Sequence, residues 1–569
     1  MALLRFVSLI ALAGIVACAG SESVSTPRNA GGTLVISTPG DPDVLIPALV
    51  SSIQGSQITD LVYDHLADIG DSLTIVGDRG FRPALADQWS WGADSLSIAF
   101  HIHPRAKWHD GRPVRASDVK FTHAAYTDSA LGSPARALLG NIDSVTVRDS
   151  STAVFWYEKR SAQQFYDAAY TMLIMPEHVW KGTPLSGWRP SEIGKKPIGS
   201  GRFRFQRWTP RTAVEIVADT ANYRGSPKLS RIIWSISPDF NTAVTRFLSG
   251  EADIFEALRP EHMTDIAKNP ALRVATFPSV DYLFAAFNLR DKANKSRPHP
   301  IFASRDLRRA LTMAVDRAAI VRSVYDTLAQ TAQGPMVRAF ATTDPAQPQI
   351  PFDLAGARAK LDSLGWRDAN DDGVREKGGR PLRFSLLVPG SSKARVQMAV
   401  LIQEQLRQAG ARVEVEQVEF PTYAERTRKR TFDMMMGGWH TQASPGGARQ
   451  SWGTAGVRAA SGSNYPSYES AAFDASMDSA LIELDFAKKK ALFARAYDTI
   501  IQDAPAIWLA EPKATIGYHK RLRTAPMRAD AWWSHLAEWW IPENERIPRD
   551  NAGPAAAVPA ARPDSQKTP

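Results

Sequence analysis

The stretch from residue 382 to residue 415 limits the fold most, because a strand pattern, a helix pattern and a second strand pattern follow one another there. Apolar residues alternate with other residues at Leu382, Phe384, Leu386 and Val388, and Pro389-Gly390 ends the run. Helical spacing then appears at Ala399, Ile402 and Leu406, a helix-ending glycine at Gly410, and new alternation at Val413 and Val415. These patterns predict a βαβ unit, which favours a parallel sheet with a right-handed crossover.

A helix is also predicted earlier in the chain, beginning after Ser304. Ser304 is a favourable N-cap, and apolar residues recur at Leu307, Leu311, Ala314 and Ala318. With 569 residues the chain exceeds the size of one hydrophobic core, so about two to four domains are expected. The predicted fold class is therefore mixed α/β, in several domains.

The first residues have the features of an export signal. Arg5 precedes an apolar run from Phe6 to Val16, which is shorter than the roughly 20 residues that span a bilayer. Ile15-Val16-Ala17-Cys18 resembles a bacterial lipobox, in which the cysteine becomes the lipidated first residue. We predict a signal peptide at 1–17 and a flexible tether at 18–30 after lipidated Cys18, with a plain signal peptide cut nearby as the alternative.

Composition and motifs argue against several functional classes. Cys18 is the single cysteine, so no intramolecular disulfide and no cysteine metal cluster can form. The net charge of +9 comes from scattered lysines and arginines, so we expect no nucleic-acid partner. No G-x-S-x-G, H-E-x-x-H, P-loop or dinucleotide motif occurs, and we predict no enzyme activity and no cofactor. Two catalytic carboxylates meeting from distant positions stay an alternative.

The run HIHPRAKWHDG, residues 101–111, offers a candidate metal site. His101 and His103 would share one face of a strand, and His109 would have to reach them across a turn. However, Pro104 ends the strand, and Asp110-Gly111 is a turn signal. We predict a hairpin that leads into a helix beginning near Ser117-Asp118, and no metal.

Three other segments invite a functional interpretation that we weigh against a structural one. DANDDGVRE, 368–376, has the first half of a calcium loop, but Gly379 stands where the closing glutamate belongs, so a turn is favoured over calcium. Met434, Met435 and Met436 would point to alternate strand faces and are predicted to fill the core. WWSHLAEWW, 532–540, is predicted to be mostly structural, although indoles also line ligand clefts.

Several segments, taken in order, resemble the family 5 extracellular solute-binding proteins of bacterial ABC importers, which include dipeptide-, oligopeptide- and nickel-binding members. The segments are LADQWSWGADSLSIAFHIHPRAKWHDGRPVRASDVKFT, PIGSGRFRFQRW, ANYRGSPKLSRI, FLSGEADI, FNLR, DLRRALTMAVDRAAIV, GWRDANDDGVRE, LRQAGARVEV, NYPSYESAAFD and DAPAIWL. The resemblance covers about residues 31–545, and it identifies the WHDG run as a fold signature rather than a metal cage.

The resemblance implies a periplasmic-binding-protein type II-like fold, with two lobes, a ligand cleft between them and an extra inserted domain. Its implied parts are lobe I at 31–67, 195–283 and 520–548, the extra domain II at 68–194, and lobe III at 284–519. The Ala- and Pro-rich segment 549–569 is predicted to be a disordered tail. Ligand capture would proceed by hinge closure, without covalent chemistry.

The resemblance also implies where the ligand binds. Peptide-binding members carry an aspartate shortly after the tryptophan that Trp439 matches, but here no acid follows before Trp452. We predict that His440, Thr441, Gln442 and Ser444 supply neutral hydrogen bonds instead, as suits a sugar, an uncharged amide or a capped peptide. Asp41 is a possible substitute counter-ion, and Trp439, Tyr282 and Asn288 complete the predicted ligand-binding set.

The function predicted from the resemblance is that of the ligand-binding component of an ABC importer for a peptide or another small oligomeric nutrient. Its expected partners are the permease and ATPase subunits and, through the lipid anchor, a bacterial membrane, on the periplasmic or cell-surface side. The chain is expected to be a monomer. Alternatives are a metal-chelate or haem binder of the same fold, a secreted hydrolase, and a scaffold or sensor without a permease.

Overall fold

The computed structural model describes residues 31–441, 443–444, 446–458 and 462–551. The predicted signal peptide, the tether with Cys18, Gln442 and residues 552–569 lie outside the described residues. Within the described part, helices and strands alternate along the chain, so the predicted mixed α/β class is confirmed. No helix among the described residues is long and apolar enough to cross a membrane.

Most strands join one large sheet that runs through the molecule. The strands of the chain are β1 (Thr33–Thr38), β2 (Ala67–Ile69), β3 (Phe81–Pro83), β4 (Ala86–Trp91), β5 (Ser97–Ile102), β6 (Ile142–Asp149), β7 (Thr152–Tyr157), β8 (Phe203–Thr209), β9 (Ala213–Ala218), β10 (Arg231–Ile236), β11 (Ile254–Phe255), β12 (Leu272–Pro278), β13 (Asp281–Phe287), β14 (Ala329–Thr331), β15 (Glu376–Lys377), β16 (Arg380–Pro381), β17 (Arg383–Pro389), β18 (Arg412–Val418), β19 (Met434–His440) and β20 (Ala506–His519). The large sheet has the order β18-β17-β19-β13-β20-β11-β1-β10-β9-β8, with β12 and β14 also paired to β20.

The long strand β20 connects the two sides of this sheet. Its first residues pair with β13 and β14, and its last residues pair with β11 and β12. We call the strands β13, β14, β17, β18 and β19 the β13 side, and the strands β1 and β8 to β12 the β1 side. The chain also passes from the β1 side to the β13 side between β12 and β13. Strand β20 and the β12–β13 connection are therefore two neighbouring segments that join the two sides.

The helices cover the faces and ends of the sheets. They are α1 (Ile53–Val62), α2 (Ala116–Thr127), α3 (Gln164–Ala169), α4 (Glu177–Trp180), α5 (Phe240–Leu248), α6 (Met263–Lys268), α7 (Arg305–Met313), α8 (Arg317–Tyr325), α9 (Leu354–Ser363), α10 (Lys393–Gln408), α11 (Phe420–Arg428), α12 (Gly446–Trp452), α13 (Thr454–Arg458), α14 (Ala471–Ile482), α15 (Phe486–Asp503) and α16 (Pro548–Asn551). Short 3₁₀ turns lie at Arg136–Leu139, Leu185–Gly187, Ile193–Lys195, Pro260–His262, Trp532–Glu538 and Glu543–Glu545.

The predicted βαβ unit is confirmed. Strands β17 and β18 pair in parallel, from Arg383 opposite Arg412 to Pro389 opposite Val418, and α10 connects them. Gly410 has φ +87°, a left-handed conformation that glycine adopts without steric cost just after a helix. The local patterns therefore placed this unit correctly.

The helix predicted from Ser304 to Ala318 is two helices. Ser304 caps α7, as expected, and its hydroxyl accepts a hydrogen bond from Leu307 N at 3.3 Å. The helix ends at Met313, and Asp316 caps α8 by accepting from Ala319 N at 2.9 Å. The apolar spacing continues through this break, so the spacing alone predicted one helix. The break is marked by Asp316, whose side chain satisfies an amide group at the start of α8.

A separate antiparallel sheet, β4-β5-β7-β6, lies between β3 and β8 in the chain, and we call residues 86–180 the inserted region. Strand β5 buries Ile98, Phe100 and Ile102, as their alternation predicted. Trp108 N donates to Arg112 O at 2.8 Å in the WHDG turn, and the carboxylate of Asp118 accepts from Arg115 N at 2.8 Å as α2 begins. The hairpin leading into a helix is thus confirmed.

Strand β19 lies between two hydrophobic cores. Met435 packs into the core shared with the β1 side, whereas Met434 and Met436 pack into a second core beneath α7 and α10. All three methionines are buried, as the alternation of strand faces predicted. These residues are core filler.

The predicted disordered tail begins too early. Residues 549–551 belong to α16, and the buried carboxylate of Asp550 accepts from Thr33 N at 2.8 Å and pairs with Arg521 at 2.5 Å. The Ala- and Pro-rich composition begins only after Asn551. Composition could not show that Asp550, just before it, attaches α16 to β1.

Candidate functional site

A cavity of about 890 Å³ opens between the β1 side and the β13 side of the large sheet. Its floor is the crossing part of β20, residues 512–516, together with residues around the β12–β13 crossing. Polar and aromatic groups from both sides line it: Gln54, Asp60, Glu256, Arg259, Trp532 and Trp533 from the β1 side, and Asp281, Tyr325 and His440 from the β13 side. Tyr170 enters it from the inserted region.

Glu256 lies just after β11 and is held by neutral donors. Its Oε2 accepts from Gln57 Nε2 at 2.5 Å and from the indole of Trp532 at 2.9 Å, and its Oε1 accepts a long bond from Gln54 Nε2 at 3.4 Å. Burial raises the pKa of Glu256, although these bonds oppose the shift. Among the described residues, no cationic side chain pairs with this carboxylate.

Asp60, on α1, has a similar environment. Its Oδ2 accepts from the indole of Trp533 at 2.8 Å, and burial raises the pKa of Asp60 despite the fields of His65 and Arg528. Within the described part of the chain, neither Asp60 nor Glu256 forms an ion pair. Both carboxylates lie on the same wall of the cavity, because α1 supplies Asp60 as well as the two glutamines that bind Glu256.

The other two acids of the cavity have basic partners. Asp281 and His440 are opposite each other in the β13–β19 pair, and Asp281 Oδ1 lies 2.9 Å from His440 Nδ1. This hydrogen bond raises the pKa of His440, although burial opposes it. Asp530 pairs with Arg528 at 2.6 Å. Each of these two acids therefore has a basic side chain of the protein as its partner.

A smaller cavity of about 180 Å³ adjoins the first one. Tyr166, Tyr170 and Thr171 of the inserted region face His440, Thr441 and Ala443 of the β13 side across it, and Asp530 completes it. Thr441 contributes no free hydroxyl, because its Oγ1 donates to Val280 O at 2.8 Å. Ser444 is buried and donates to Gln163 Oε1 of the inserted region.

Of the predicted ligand-binding residues, His440 lines the main cavity and Thr441 the smaller one. Tyr282 is 1% exposed, and its hydroxyl accepts from Trp452 Nε1 at 2.9 Å in the core beneath the cavity. Asn288 is fully buried and donates to Phe432 O at 2.9 Å. Trp439 stacks on Tyr465, with 5.9 Å between ring centroids, rather than lining the cavity. The structure places these three residues in supporting positions.

Asp41 also lies away from the lining of the cavity. Its Oδ1 accepts from the indole of Trp208 at 3.0 Å, and its Oδ2 accepts from Arg211 N at 2.7 Å. Both oxygens are thereby engaged on the outer strands of the β1 side. Asp60 and Glu256, which the sequence did not single out, do line the cavity.

The sequence carried one signal for the missed residues. This signal is the tryptophan cluster, which includes Trp532 and Trp533. Both residues are structural, with 7% and 5% exposure, and both also line the cavity and donate to its acids. Glu256 stands in GEADIFEALRP without any motif that marks it as a ligand-facing residue. Only its position beside α1 does so.

The histidines near the WHDG turn have separate partners. His101 lies 2.7 Å from Asp87, and His103 accepts from Arg105 N at 3.1 Å. His109 Nδ1 accepts from Gly199 N at 3.2 Å, so its Nε2 donates to Gly201 O at 2.9 Å, and burial lowers the pKa of His109. His109 thus joins the WHDG turn to the PIGSG segment.

Residues 368–376 form a turn. Asp368 Oδ2 accepts from Gly373 N at 2.9 Å, and Gly373 has φ +82°. Carboxylate oxygens of Asp368, Asp372 and Glu376 lie within 4.8 Å of one another on the surface. The favoured turn is present, and calcium binding there stays an untested alternative.

Comparison with known proteins connects this geometry to a family. The sequence profile described as "Bacterial extracellular solute-binding proteins, family 5 Middle" matches residues 80–458. Oligopeptide-binding protein AppA of Bacillus subtilis is 24% identical over 538 residues, which is 92% of this chain and 96% of AppA. Di/tripeptide-binding protein 2 of Pseudomonas aeruginosa is 26% identical over 478 residues, 80% of this chain and 86% of that protein.

Solved structures share the architecture. AppA of Bacillus subtilis, in complex with a nonapeptide, superposes with a TM-score of 0.76 at 24% identity, covering 90% of this chain and 99% of AppA. NikZ of Campylobacter jejuni, in complex with Ni(L-His), superposes with a TM-score of 0.75 at 22% identity, covering 89% of this chain and 99% of NikZ. These matches confirm the predicted mixed α/β fold of the periplasmic-binding-protein type II-like class.

Proposed function

Because this chain belongs to the bacterial extracellular solute-binding proteins of family 5, we propose that it captures a peptide and delivers it to an ABC permease. The observation that carries the proposal is the cavity of about 890 Å³ between the two sides of the sheet. Its volume is within the roughly 300–1,000 Å³ typical of small-molecule sites. Movement about the crossing segments would open and close it, and the closed form would engage the permease.

Peptide is preferred to a metal chelate as the ligand for two reasons. The relatives AppA and Di/tripeptide-binding protein 2 are named for peptides. In addition, His440 is the only histidine that lines the main cavity among the described residues, and its Nδ1 is engaged by Asp281. A nickel–histidine complex such as that held by NikZ, or a haem, would find one imidazole here.

The test is a binding measurement on the mature chain. Native mass spectrometry of the purified protein should reveal co-purifying peptides, and titration calorimetry after their removal should give saturable binding with one site per chain. The ligand should be recovered uncut, since no covalent step is part of the proposal. Recovery of a metal chelate or of cleaved products, or the absence of peptide binding, would contradict it.

We also propose that Cys18 carries a lipid that tethers the protein to a membrane, and that it acts as a monomer. The support is the lipobox-like sequence before Cys18 and the extracellular character of the family. Cys18→Ala should move the protein from the membrane fraction to the soluble exported fraction, with its ligand affinity unchanged. Light scattering of that soluble variant measures its oligomeric state.

The division into lobe I, domain II and lobe III, with the bounds given from the sequence, is likewise a proposal. The separate β4–β7 sheet supports an inserted domain, and the pairings of β20 support two lobes. We propose one adjustment: the crossing from lobe I to lobe III lies near residues 278–281, because β13 already pairs with β19 from Asp281 onward.

A further inference from the structure

We infer that Glu256 and Asp60, with Trp532 and Trp533, form a subsite in the cavity that binds an ammonium group of the ligand. This inference rests on the proposed peptide-binding function and names the chemistry that selects the ligand. The ammonium can come from a peptide's amino terminus or from a lysine side chain. Both sources present the same three-donor cation to the same acids.

The charge balance of the cavity indicates a cation. Four carboxylates line it, and two of them have basic partners, Asp281 in His440 and Asp530 in Arg528. In the described part of the chain, Glu256 and Asp60 have only amide and indole donors. Burying a charge without a counter-ion is unfavourable, so a ligand cation would offset this cost.

The basic groups in and beside the cavity do not fill this role. The guanidinium of Arg528 is engaged by Asp530 and donates to Ile69 O at 2.8 Å and to the hydroxyl of Tyr170. Arg259 lies over the ring of Phe240, 3.8 Å from its centroid. Lys513 lines the cavity and makes no ion pair among the described residues. It remains available for a ligand carboxylate.

Both acids keep free acceptor positions. Both short bonds of Glu256 go to Oε2, which leaves Oε1 with one long contact to Gln54. Asp60 accepts through Oδ2, and its Oδ1 accepts no hydrogen bond from the described residues. An ionised carboxylate has about four acceptor sites, so each of the two acids keeps acceptor capacity for a donor of the ammonium.

The two tryptophans position the acids of the subsite. Their indole N–H groups point at the acids and hold each carboxylate in place. The adjacent positions of Trp532 and Trp533 and the i, i+3 spacing of Gln57 and Asp60 on α1 keep both acids on one wall.

Glu256→Gln is a suitable test variant because the geometry can survive it. The glutamine oxygen can take the position of Oε2 and accept from both Gln57 and Trp532, so the substitution removes the charge and leaves the two short bonds. Asp60→Asn does the same beside Trp533. Asp41→Asn is the matched control, since Asp41 also accepts from an indole and a backbone N–H but does not line the cavity.

The experiment is titration calorimetry with tetra-alanine, N-acetyl-tetra-alanine and an N-acetylated peptide that carries one lysine. Wild type should bind tetra-alanine at least tenfold more tightly than its acetylated form, or the lysine peptide at least tenfold more tightly than acetylated tetra-alanine. The first result identifies the amino terminus as the source, and the second identifies a lysine side chain. Glu256→Gln and Asp60→Asn should each erase most of that difference, and Asp41→Asn should retain it within twofold.

Two results would overturn the subsite while leaving peptide binding intact. One is wild-type binding that is indifferent to both amines, which needs no variant and so does not depend on folding. The other is a preference for the amine that persists in both Glu256→Gln and Asp60→Asn. If wild type binds none of the peptides, the proposed function itself fails, and the subsite with it.

Discussion

The hydroxyl of Ser444 donates a hydrogen bond to Oε1 of Gln163, a residue 281 positions earlier in the chain. The contact joins the loop after β19 to the inserted region. A second bond, from Ala162 N to Leu481 O at 3.2 Å, lies beside it. The inserted region is therefore attached to the β13 side across the smaller cavity, in addition to its covalent connections to the β1 side.

We expect Ser444→Ala to accelerate ligand release. In the proposed hinge opening the inserted region separates from the β13 side, and a hydrogen bond between them contributes about 0.5–1.5 kcal/mol. The dissociation rate, followed by stopped-flow tryptophan fluorescence, should rise roughly two- to tenfold. Ser479→Ala on α14, whose hydroxyl bonds within its own helix, should leave the rate unchanged. Equal rates in wild type and Ser444→Ala would show that the contact does not restrain opening.

His440 should titrate above its ordinary pKa of about 6.5, because Asp281 stabilises the imidazolium. The resulting stabilisation is complete below the unfolded-state pKa and is lost as pH rises through the raised folded-state value. It should stay below about 1 kcal/mol, since both side chains are more than a third exposed. NMR titration of the histidine resonances measures the shift, and Asp281→Asn should lower it. His109, which burial shifts downward, is an internal control.

Lys489→Met should stabilise the protein. Lys489 is fully buried on α15, its Nζ has no hydrogen-bond partner among the described residues, and burial lowers its pKa to about 8. Removing this ammonium should raise the free energy of unfolding by about 1–3 kcal/mol at pH 7. The gain should shrink from pH 8 to about 10.4, because over this range folded wild type has lost a proton that the unfolded chain keeps.

Urea unfolding at pH 7 and pH 10 measures this gain for Lys489→Met. The matched control is Lys488→Met, one residue earlier and exposed, which should stay within about 0.5 kcal/mol of wild type. A destabilised Lys489→Met at pH 7 would indicate that the cation contributes through the ring of Phe493, which lies 5.8 Å away.

Glu256→Gln should stabilise the ligand-free protein at neutral pH, by about 1 kcal/mol. Burial raises the pKa of Glu256, so between the unfolded value near 4.3 and the raised folded value the folded chain binds more protons. Wild-type stability therefore falls as pH rises through this window, and the variant lacks that loss. Thermal unfolding at pH 4 and pH 7 should give a gain at pH 7 that is absent at pH 4. Asp41→Asn should give no such pattern.

Local patterns identified the elements that depend on neighbours in the chain. The alternation and helical spacing between Leu382 and Val415 predicted β17, α10 and β18, and the three methionines of β19 were placed correctly between two cores. The same reasoning missed the break after Met313, because the spacing of apolar residues continues through it. The cap at Asp316 decides where the helical hydrogen bonds of α8 begin. Periodicity reports a buried face, and caps report helix ends.

The predicted site residues were only partly brought together, for a different reason. Tyr282 and Asn288 stand in family-like segments, yet both side chains point into the protein. Glu256 and Asp60 carry no motif, yet they line the cavity. A segment match places a strand near the cavity, but the pleat and the local packing decide which of its side chains reach it.

The sequence by itself determined the family, the mixed α/β class and the succession of strands and helices, because these depend on spacing between nearby residues. Only the tertiary structure decided which carboxylates in the cavity have a counter-ion. Glu256 meets Trp532 across 276 positions and Gln57 across 199, and a charge is compensated or uncompensated according to what lies within a few ångströms of it, whatever its distance along the chain.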